Sequence, residues 1–204
     1  MTPIVRMRAT TDRPPGLQTL AEPHSQPLAK APAKARSQIR LKQRLEAQCR
    51  IETPLGPLTL AATADGLALA WFDAQAHRSD EVDAPRQSEH PHLLAAARDF
   101  GAYWRDASIT FNVPLDPSGT EFQHAVWRVL RGIAPGRLAT YREVAVQIGR
   151  PEAARAVGAA IGRNPISIIV PCHRVIGSSG ALTGYAAGLQ RKQALLRHEG
   201  ALQE

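Results

Sequence analysis

The stretch TYREVAVQIGRPEAARAVGAAIG, residues 140–162, decides the fold of the back half of this chain. Thr140, followed three positions later by Glu143, predicts a capping box, in which each side chain bonds the other residue's backbone amide at a helix start. A first short helix should begin there and end before Gly149-Arg150-Pro151. A second helix should follow and stop at Gly162. Two short helices joined by a tight, glycine-containing turn predict a helix-turn-helix unit.

The outward face of the second helix carries few side chains that could read bases. A protein that reads the major groove presents several hydrogen-bonding side chains there, whereas this face offers only its arginines. Small side chains instead favour close approach to a sugar–phosphate wall or to the minor groove. The pattern therefore predicts DNA binding with little sequence specificity. The residues of this face are Glu152, Arg155, Ala156, Ala159 and Arg163.

The sequence predicts two domains. Thr120 and Gln123 form a second capping-box pattern before an amphipathic helix, so residues 118–204 are predicted to form a mainly α domain. Short apolar runs separated by turn residues predict an α/β domain over residues 47–117, with a small antiparallel sheet and one helix. The predicted strands cover residues 49–53, 58–63, 67–72 and 109–113, and the predicted helix buries Leu93, Ala97, Phe100 and Trp104.

The first 46 residues predict a disordered basic tail, because six of the sixteen prolines lie there and no apolar period is visible. Residues 1–48 carry nine Lys/Arg against three Asp/Glu, residues 49–118 five against ten, and residues 119–204 eleven against five. The body is thus acidic in front and basic behind, so a polyanion would meet the back half. A solvated basic face explains the charge alone equally well.

Composition excludes several classes of protein. At 44% hydrophobic and 21% charged, without an apolar run of about 20 residues, the sequence predicts a globular chain that does not span a membrane. The N-terminus lacks the apolar segment of a secretory signal, and the only two cysteines are Cys49 and Cys172, which favours the reducing cytoplasm. The seven histidines lack metal-ligand spacing, so we expect neither a metal nor a cofactor.

A second informative stretch is ISIIVPCHRVI, residues 166–176, which places a cysteine, a histidine and an arginine in an apolar run. A buried cysteine is more often inert core than a nucleophile, but the adjacent His173 favours a functional thiol. Neighbouring side chains diverge on an extended segment, so a relay between Cys172 and His173 needs a bridging water or a bend after Pro171. Cys49, at a strand start, is expected to be a bystander.

The segment VPCHRVI, residues 170–176, resembles the active-site signature of the O6-alkylguanine-DNA alkyltransferases, also called methylated-DNA–protein-cysteine methyltransferases. The similarity covers residues 118–200 closely and the front domain from about residue 48 more loosely. It implies a ribonuclease-H-like front domain and a winged-helix-like back domain. Further matching segments are Thr140-Tyr141, residues 153–158, Arg163-Asn164-Pro165 and residues 178–180, 184–185, 188–189 and 198–200.

The resemblance implies direct-reversal repair of double-stranded DNA by a monomer with access to the chromosome. A methyl or other alkyl group would move from O6 of guanine, and also from O4 of thymine, irreversibly to Cys172. His173 would draw the thiol proton through a water and be oriented by Glu199, while Asn164 would brace the turn beside the site. A free cysteine is only a few per cent thiolate at neutral pH, so the reaction does need such a proton acceptor.

The resemblance also assigns the side of the pocket that meets the substrate. The backbone carbonyls of Cys172 and Val175 would accept hydrogen bonds from the guanine amino group. Tyr185, with the amides of Ala186 and Ser178, would line the alkyl side.

A base inside duplex DNA hides its O6 from a protein pocket, so the reaction requires the base to be extruded. By resemblance, Arg155 would enter the base stack and fill the gap. Tyr141 would push on the target phosphate and donate a hydrogen bond to the base. Arg142 and Arg150 complete the residues expected to bind DNA.

Two positions depart from the family pattern. Ala187 replaces a frequent glycine, which predicts a pocket that is tighter toward bulky alkyl groups. Ser167 replaces a residue that is often apolar or proline, and we expect this change to matter little.

Three other functions compete with this interpretation. The first is a non-catalytic sensor of damage, which would lack the acceptor cysteine, and the second is a helix-turn-helix regulator. The third is a thiol hydrolase, which would need a separate histidine–asparagine pair.

Overall fold

The computed structural model describes residues 45–76 and 82–202. All of these residues belong to one compact unit, Pro32–Glu204. The predicted tail, residues 1–46, therefore lies outside the described residues except for its last two positions. Within the described ranges, no helix combines the length and the hydropathy of a membrane span.

The front region begins with an antiparallel sheet of three strands in the order β1-β2-β3. These are β1 (Ala47–Ile51), β2 (Leu58–Thr63) and β3 (Gly66–Phe72). β2 and β3 match the predicted strands within one residue, and β1 lies two residues earlier than predicted. At Gly66 the backbone of Pro114 passes so close that an added Cβ would lie 2.6 Å from the Pro114 carbonyl oxygen, so only glycine fits.

β3 is an edge strand of this sheet, yet it is buried along its whole length. One set of its side chains packs in the main core, and the other packs in a smaller cluster with Val82 and Ala61. The sets are Leu67, Ala70 and Phe72 for the main core, and Ala68, Leu69 and Trp71 for the smaller cluster. Besides packing its side chains on both faces, β3 contacts the segment that leads to Cys172.

Helix α1 (Pro91–Tyr103) covers the sheet with Leu93, Ala96, Phe100 and Tyr103 buried at spacings of three and four residues. The predicted helix exists, but its buried face is rotated from the predicted one. Ala96 and Tyr103 are buried where Ala97 and Trp104 were expected. This rotation brings the hydroxyl of Tyr103 into the molecule.

The strand predicted over residues 109–113 is wrong, because the segment is irregular. The carboxylate of Asp99 on α1 accepts hydrogen bonds from the backbone amides of Asn112 (2.7 Å) and Val113 (3.1 Å). These amides are satisfied by a side chain and are therefore lost to a strand ladder. Just after this segment, an isolated bridge pairs Leu115 with Leu67.

The back region contains helices α2 (Glu121–Arg131), α3 (Tyr141–Gln147), α4 (Ala154–Gly162) and α5 (Leu189–His198). The back region also contains a short parallel pair of strands, β4 (Ala139–Thr140) and β5 (Val175–Ile176). Both predicted capping boxes are confirmed, Thr120 with Gln123 and Thr140 with Glu143. Pro151 opens a 3-10 turn rather than an α-helix, and α4 follows directly.

One hydrophobic core extends through both regions. It includes Leu60 and Phe100 from the front and Leu130, Val157 and Val175 from the back. The division into two domains at residues 117 and 118 therefore stays a prediction, and the two regions share the interior in which the site lies.

Candidate active site

Cys172 begins a 3-10 turn, Cys172–Arg174, at the end of an apolar segment. The backbone therefore bends after Pro171, which is one of the two alternatives that the sequence analysis left open for a relay. Cys172 is 6% exposed and His173 is completely buried. The turn therefore gives the thiol limited access to solvent, while the side chain of His173 is enclosed by protein.

Asn164 fixes the sulfur. Its side-chain amide donates hydrogen bonds to the carbonyl of Val170 (2.7 Å) and to Sγ of Cys172 (3.1 Å). Its Oδ1 accepts a hydrogen bond from the backbone amide of Ile166 (3.0 Å). A hydrogen bond donated to sulfur favours the thiolate over the thiol. Asn164 thus connects the apolar segment before the turn with the sulfur of Cys172.

Glu199, just after α5, is the centre of a buried polar network. Its carboxylate bonds Nε2 of His173 (2.9 Å) and accepts from the hydroxyl of Tyr103 (2.8 Å). Arg174 donates to both oxygens, through Nε (2.8 Å) and Nη2 (2.8 Å), and its Nη1 donates to the carbonyl of Ile133. A buried charge is tolerated only when it is paired and hydrogen-bonded in this way.

The network sets the protonation of His173. Burial alone would raise the pKa of Glu199, but hydrogen bonds from Arg174 and His173 outweigh burial and lower the pKa to about 2. Burial lowers the pKa of His173, although the bond to Glu199 acts in the opposite direction. Glu199 is therefore ionised and His173 neutral at pH 7.

Because an ionised carboxylate can only accept, the proton of the neutral imidazole must lie on Nε2. Nδ1 of His173 is then the basic atom. Among the residues that the structure describes, this buried Nδ1 has no hydrogen-bond partner. It is therefore available to take a proton from a group beside it.

A cavity of about 250 Å³ opens beside Cys172. Its walls include Tyr141 at the start of α3, Tyr185 and Ala186 in the loop before α5, and Ala76 from the front region. The volume lies below the roughly 300–1,000 Å³ of pockets for drug-sized ligands, so the cavity suits a smaller ligand. Burial raises the pKa of Tyr185, which remains a neutral hydroxyl.

Comparison with known proteins agrees with this geometry. The profile of the 6-O-methylguanine DNA methyltransferase DNA-binding domain matches residues 121–201. The methylated-DNA–protein-cysteine methyltransferase of Methanosarcina acetivorans is 46% identical over 150 residues, which cover 74% of this chain and 96% of that protein. The corresponding protein of Mycolicibacterium paratuberculosis is 47% identical over 150 residues, 73% of this chain and 89% of that one.

The chain belongs to the methylated-DNA–protein-cysteine methyltransferase family. A solved structure of Mycobacterium tuberculosis OGT in complex with DNA is also similar, with a TM-score of 0.68 and 44% identity. The match covers 76% of this chain and 93% of that one.

Four residues are expected to bind DNA, and the structure places them on α3, in the turn that follows it and on α4. Arg142 on α3, Arg150 in the turn and Arg155 on α4 are all exposed. The guanidinium of Arg150 lies over the ring of Phe122, 5.6 Å from its centroid. Tyr141 differs from these arginines because it lines the cavity.

The residues assigned to the substrate side of the methyltransferase pocket do not all line it. Tyr185 and Ala186 do, whereas Ser178 is exposed and is not part of the cavity wall. Ala187, the departure expected to narrow the pocket, packs in the main core instead. The hydroxyl of Ser167 makes a buried hydrogen bond, so our expectation that this position matters little has no support in its environment.

Lys192 is a buried residue that the sequence analysis missed. Its Nζ donates to the carbonyls of Val175 (2.5 Å) and Thr183 (2.9 Å). Burial lowers the pKa of Lys192 to about 8, although negative charge at Cys172 acts in the opposite direction. A carbonyl has two lone pairs, so Val175 can still accept a second bond from a substrate. A signal was present, because Lys192 lies three positions before the buried Leu195 on the apolar face of α5.

The sequence analysis also missed Tyr103, because its bond to Glu199 depends on the rotation of α1.

Residues 45–76 and 82–202 contain no group of three or more His, Cys, Asp or Glu side chains arranged to hold a metal ion. Cys49 lies half-buried in β1, where burial raises the pKa of its thiol. Such a thiol is a poor nucleophile.

Proposed function

We propose that this chain repairs DNA by direct reversal, transferring a methyl or other alkyl group from O6 of guanine to Sγ of Cys172. The observation that carries the proposal is the position of Cys172. Its sulfur, bonded by Asn164, lines a cavity of about 250 Å³ and precedes a neutral histidine held by a carboxylate. The name shared by the relatives, and the Mycobacterium tuberculosis structure in complex with DNA, support DNA as the partner.

The chemical step begins with the thiol proton. Cys172 gives it through a bridging water to Nδ1 of His173, and the imidazolium that forms is stabilised by the ionised Glu199. The thiolate then attacks the alkyl carbon. The S–C bond forms as the C–O6 bond breaks, and the electron pair of that bond stays on guanine. The proton passes from His173 to the base, so the products are guanine and an S-alkyl cysteine.

The reaction is expected to occur once per molecule. A thioether has no carbonyl that water could attack, in contrast to an acyl intermediate on a cysteine. The alkyl group therefore remains on Cys172, and the protein is consumed in the repair. The same displacement applies to O4-alkylthymine, which presents an alkyl–oxygen bond of the same kind.

The cavity recognises the extruded base through backbone and aromatic groups. The carbonyls of Cys172 and Val175 accept from the guanine amino group, and Lys192 holds the Val175 carbonyl in place. Tyr185 and the amide of Ala186 lie on the alkyl side. The Ser178 amide belongs to the same proposed set, although Ser178 is exposed and lies outside the cavity wall.

Extrusion of the base is assigned to Arg155 and Tyr141. Unstacking and unpairing a base cost a few kcal/mol, and a side chain inserted in the gap offsets part of this cost. Arg155 is exposed on α4 while its neighbour Val157 is buried, so its side chain can reach the duplex without disturbing the core. Tyr141 lies between the outer surface and the cavity, where a phosphate and the flipped base both come within reach.

Arg142 and Arg150 supply contacts to the backbone of the duplex, which fix its position without reading sequence. We therefore propose binding with little sequence specificity by a monomer. The back region is proposed to be a winged-helix-like domain over residues 118–204, and the front, residues 47–117, a ribonuclease-H-like domain. The protein would act in the cytoplasm with access to the chromosome, since its substrate is chromosomal DNA.

The test is the intact mass of the full chain after incubation with duplex DNA containing one O6-methylguanine. We expect a gain of one methylene group per protein molecule, located on the peptide that contains Cys172, and no further gain with excess DNA. An unchanged mass with DNA still bound would mean that the protein senses damage without repairing it. Sustained turnover in the absence of added thiol would overturn the single-turnover mechanism.

A further inference from the structure

The end of β3 holds one wall of the cavity. After Phe72 the chain turns through Ala74, whose φ of +57° is unusual for a residue other than glycine. Ala76 then donates its backbone amide to the carbonyl of Ala186 (2.8 Å), and both residues line the cavity. A conformation of this kind persists only where the surroundings enforce it. Contacts around the turn must therefore fix it.

Gln75 supplies those contacts. Its side chain is 5% exposed, and its Oε1 accepts hydrogen bonds from the backbone amide of Phe72 (3.3 Å) and from the hydroxyl of Ser167 (3.0 Å). The backbone amide of Gln75 donates a further hydrogen bond to the carbonyl of Phe72 (3.2 Å). A single side-chain oxygen thus connects the turn with the segment that leads to Cys172.

The backbone of β3 supports the same connection. Ala70 donates its amide to the carbonyl of Pro165 (2.9 Å), and its carbonyl accepts from the amide of Ser167 (2.7 Å). Gln75 therefore stands where three parts of the molecule meet: the end of β3, the segment before Cys172, and the Ala186 wall of the cavity.

We infer that Gln75 is a positioning residue for alkyl transfer, which acts through Ser167 and Ala76 to hold the Ala186 wall opposite Cys172. This inference rests on the proposed function. A loosened wall weakens the binding of the base before reaction, whereas the bond from His173 to Glu199 stays in place. Removing the Gln75 side chain should therefore weaken the binding of the base and leave the limiting rate of transfer unchanged.

The test uses full-length protein and the free base O6-methylguanine, with the rate of Cys172 alkylation measured at increasing base concentration. Gln75→Met keeps the side-chain volume but removes the acceptor. We expect its apparent dissociation constant to rise about three- to tenfold, as for a buried donor left unpaired, with a limiting rate within about twofold of wild type. Ser167→Ala should act in the same direction, and it carries the test alone if Gln75→Met does not fold.

The double variant should be no worse than the more impaired single variant, because both lose the same bond. Gln48→Met is the matched control. It removes two hydrogen bonds in the same sheet, to the carbonyls of Val82 (2.7 Å) and Ala84 (2.6 Å), neither of which lines the cavity. It should change neither kinetic constant.

Three results would overturn the inference: a reduced limiting rate with unchanged affinity, effects that add in the double variant, or equal effects of Gln48→Met and Gln75→Met. Absence of transfer in the wild-type chain would instead refute the proposed function, and it would be seen before any variant is made.

Discussion

Two parts of the back region use positive charge in opposite ways. Arg174 is 7% exposed and binds both oxygens of Glu199, so its geometry is fixed. Arg142 and Arg155, on α3 and α4, are exposed to solvent. A buried ion pair holds a reaction geometry at a cost in desolvation, whereas exposed arginines keep their full charge for a phosphate backbone. The difference separates chemistry from binding, and each side can be changed alone.

The largest effect should come from the nucleophile. In Cys172→Ser we expect complete loss of alkyl transfer from both duplex DNA and free base, because a serine hydroxyl beside a neutral histidine is far less nucleophilic than a thiolate. DNA affinity should stay within about twofold of wild type, since the arginine face is untouched. Transfer is followed with radiolabelled methyl groups and binding by fluorescence anisotropy.

Cys49→Ser is the control and should retain both activities. If methyl transfer persists in the Cys172 variant, another residue accepts the methyl group. The buried site around Cys172 would then not be the site of the chemistry.

The buried network should dominate stability in acid. The pKa of Glu199 is about 2 in the folded protein against an ordinary value of 4.5, so its contribution is present above pH 4.5 and is lost as the pH falls toward 2. We expect the free energy of unfolding to decrease by about 3 kcal/mol over this interval because of Glu199 alone. Denaturant titrations at several pH values measure it.

In Glu199→Gln this part of the pH dependence should disappear, while Glu52→Gln, a change at an exposed carboxylate, should leave it intact. If Glu199→Gln keeps the acid dependence of wild type, the network does not hold the carboxylate as the structure indicates.

A smaller effect is expected on the exposed side. Arg155→Ala removes the side chain assigned to the gap in the base stack, and transfer from duplex DNA should slow by at least about tenfold if roughly 1.4 kcal/mol is lost. Transfer from free O6-methylguanine needs no extrusion and should stay near wild type. Arg98→Ala, which removes an exposed arginine of α1, serves as the control. Equal slowing on both substrates would mean that Arg155 supports the pocket.

The smallest effect concerns Arg142. In Arg142→Ala, binding to undamaged duplex DNA should weaken to a similar extent for all sequences. The slope of the logarithm of affinity against the logarithm of salt concentration should fall by about one, because one phosphate contact is lost. Anisotropy titrations at several salt concentrations give the slope. An unchanged slope would place Arg142 outside the DNA interface.

Features that depend on local sequence were predictable. The capping boxes at Thr120 and Thr140 involve residues three positions apart, and both are present. The family motif around Cys172 predicted the nucleophile and its neighbours from equally local sequence, and this assignment stays a prediction. The strand over residues 109–113 failed because its amides are bound by Asp99, which precedes them by more than ten positions. Apolar pattern alone does not reveal such a competitor.

Contacts between distant parts of the chain account for the residues that were missed. The hydroxyl of Tyr103 reaches Glu199 across ninety-six positions, and Gln75 reaches Ser167 across ninety-two. Each looks unremarkable in its own segment, a tyrosine at a helix end and a glutamine after a strand. Their roles follow from how α1 and β3 pack on the back region, which a single sequence does not specify.

The bond from Tyr103 to Glu199 has a consequence for building chimaeras within this family. Profile matching covers residues 121–201, which invites the use of that part as an exchangeable catalytic cassette. Yet one of the donors to its central carboxylate comes from α1, outside the cassette. A graft onto a front half with phenylalanine at this position would leave that oxygen one donor short, so a designer must transplant the tyrosine together with the cysteine.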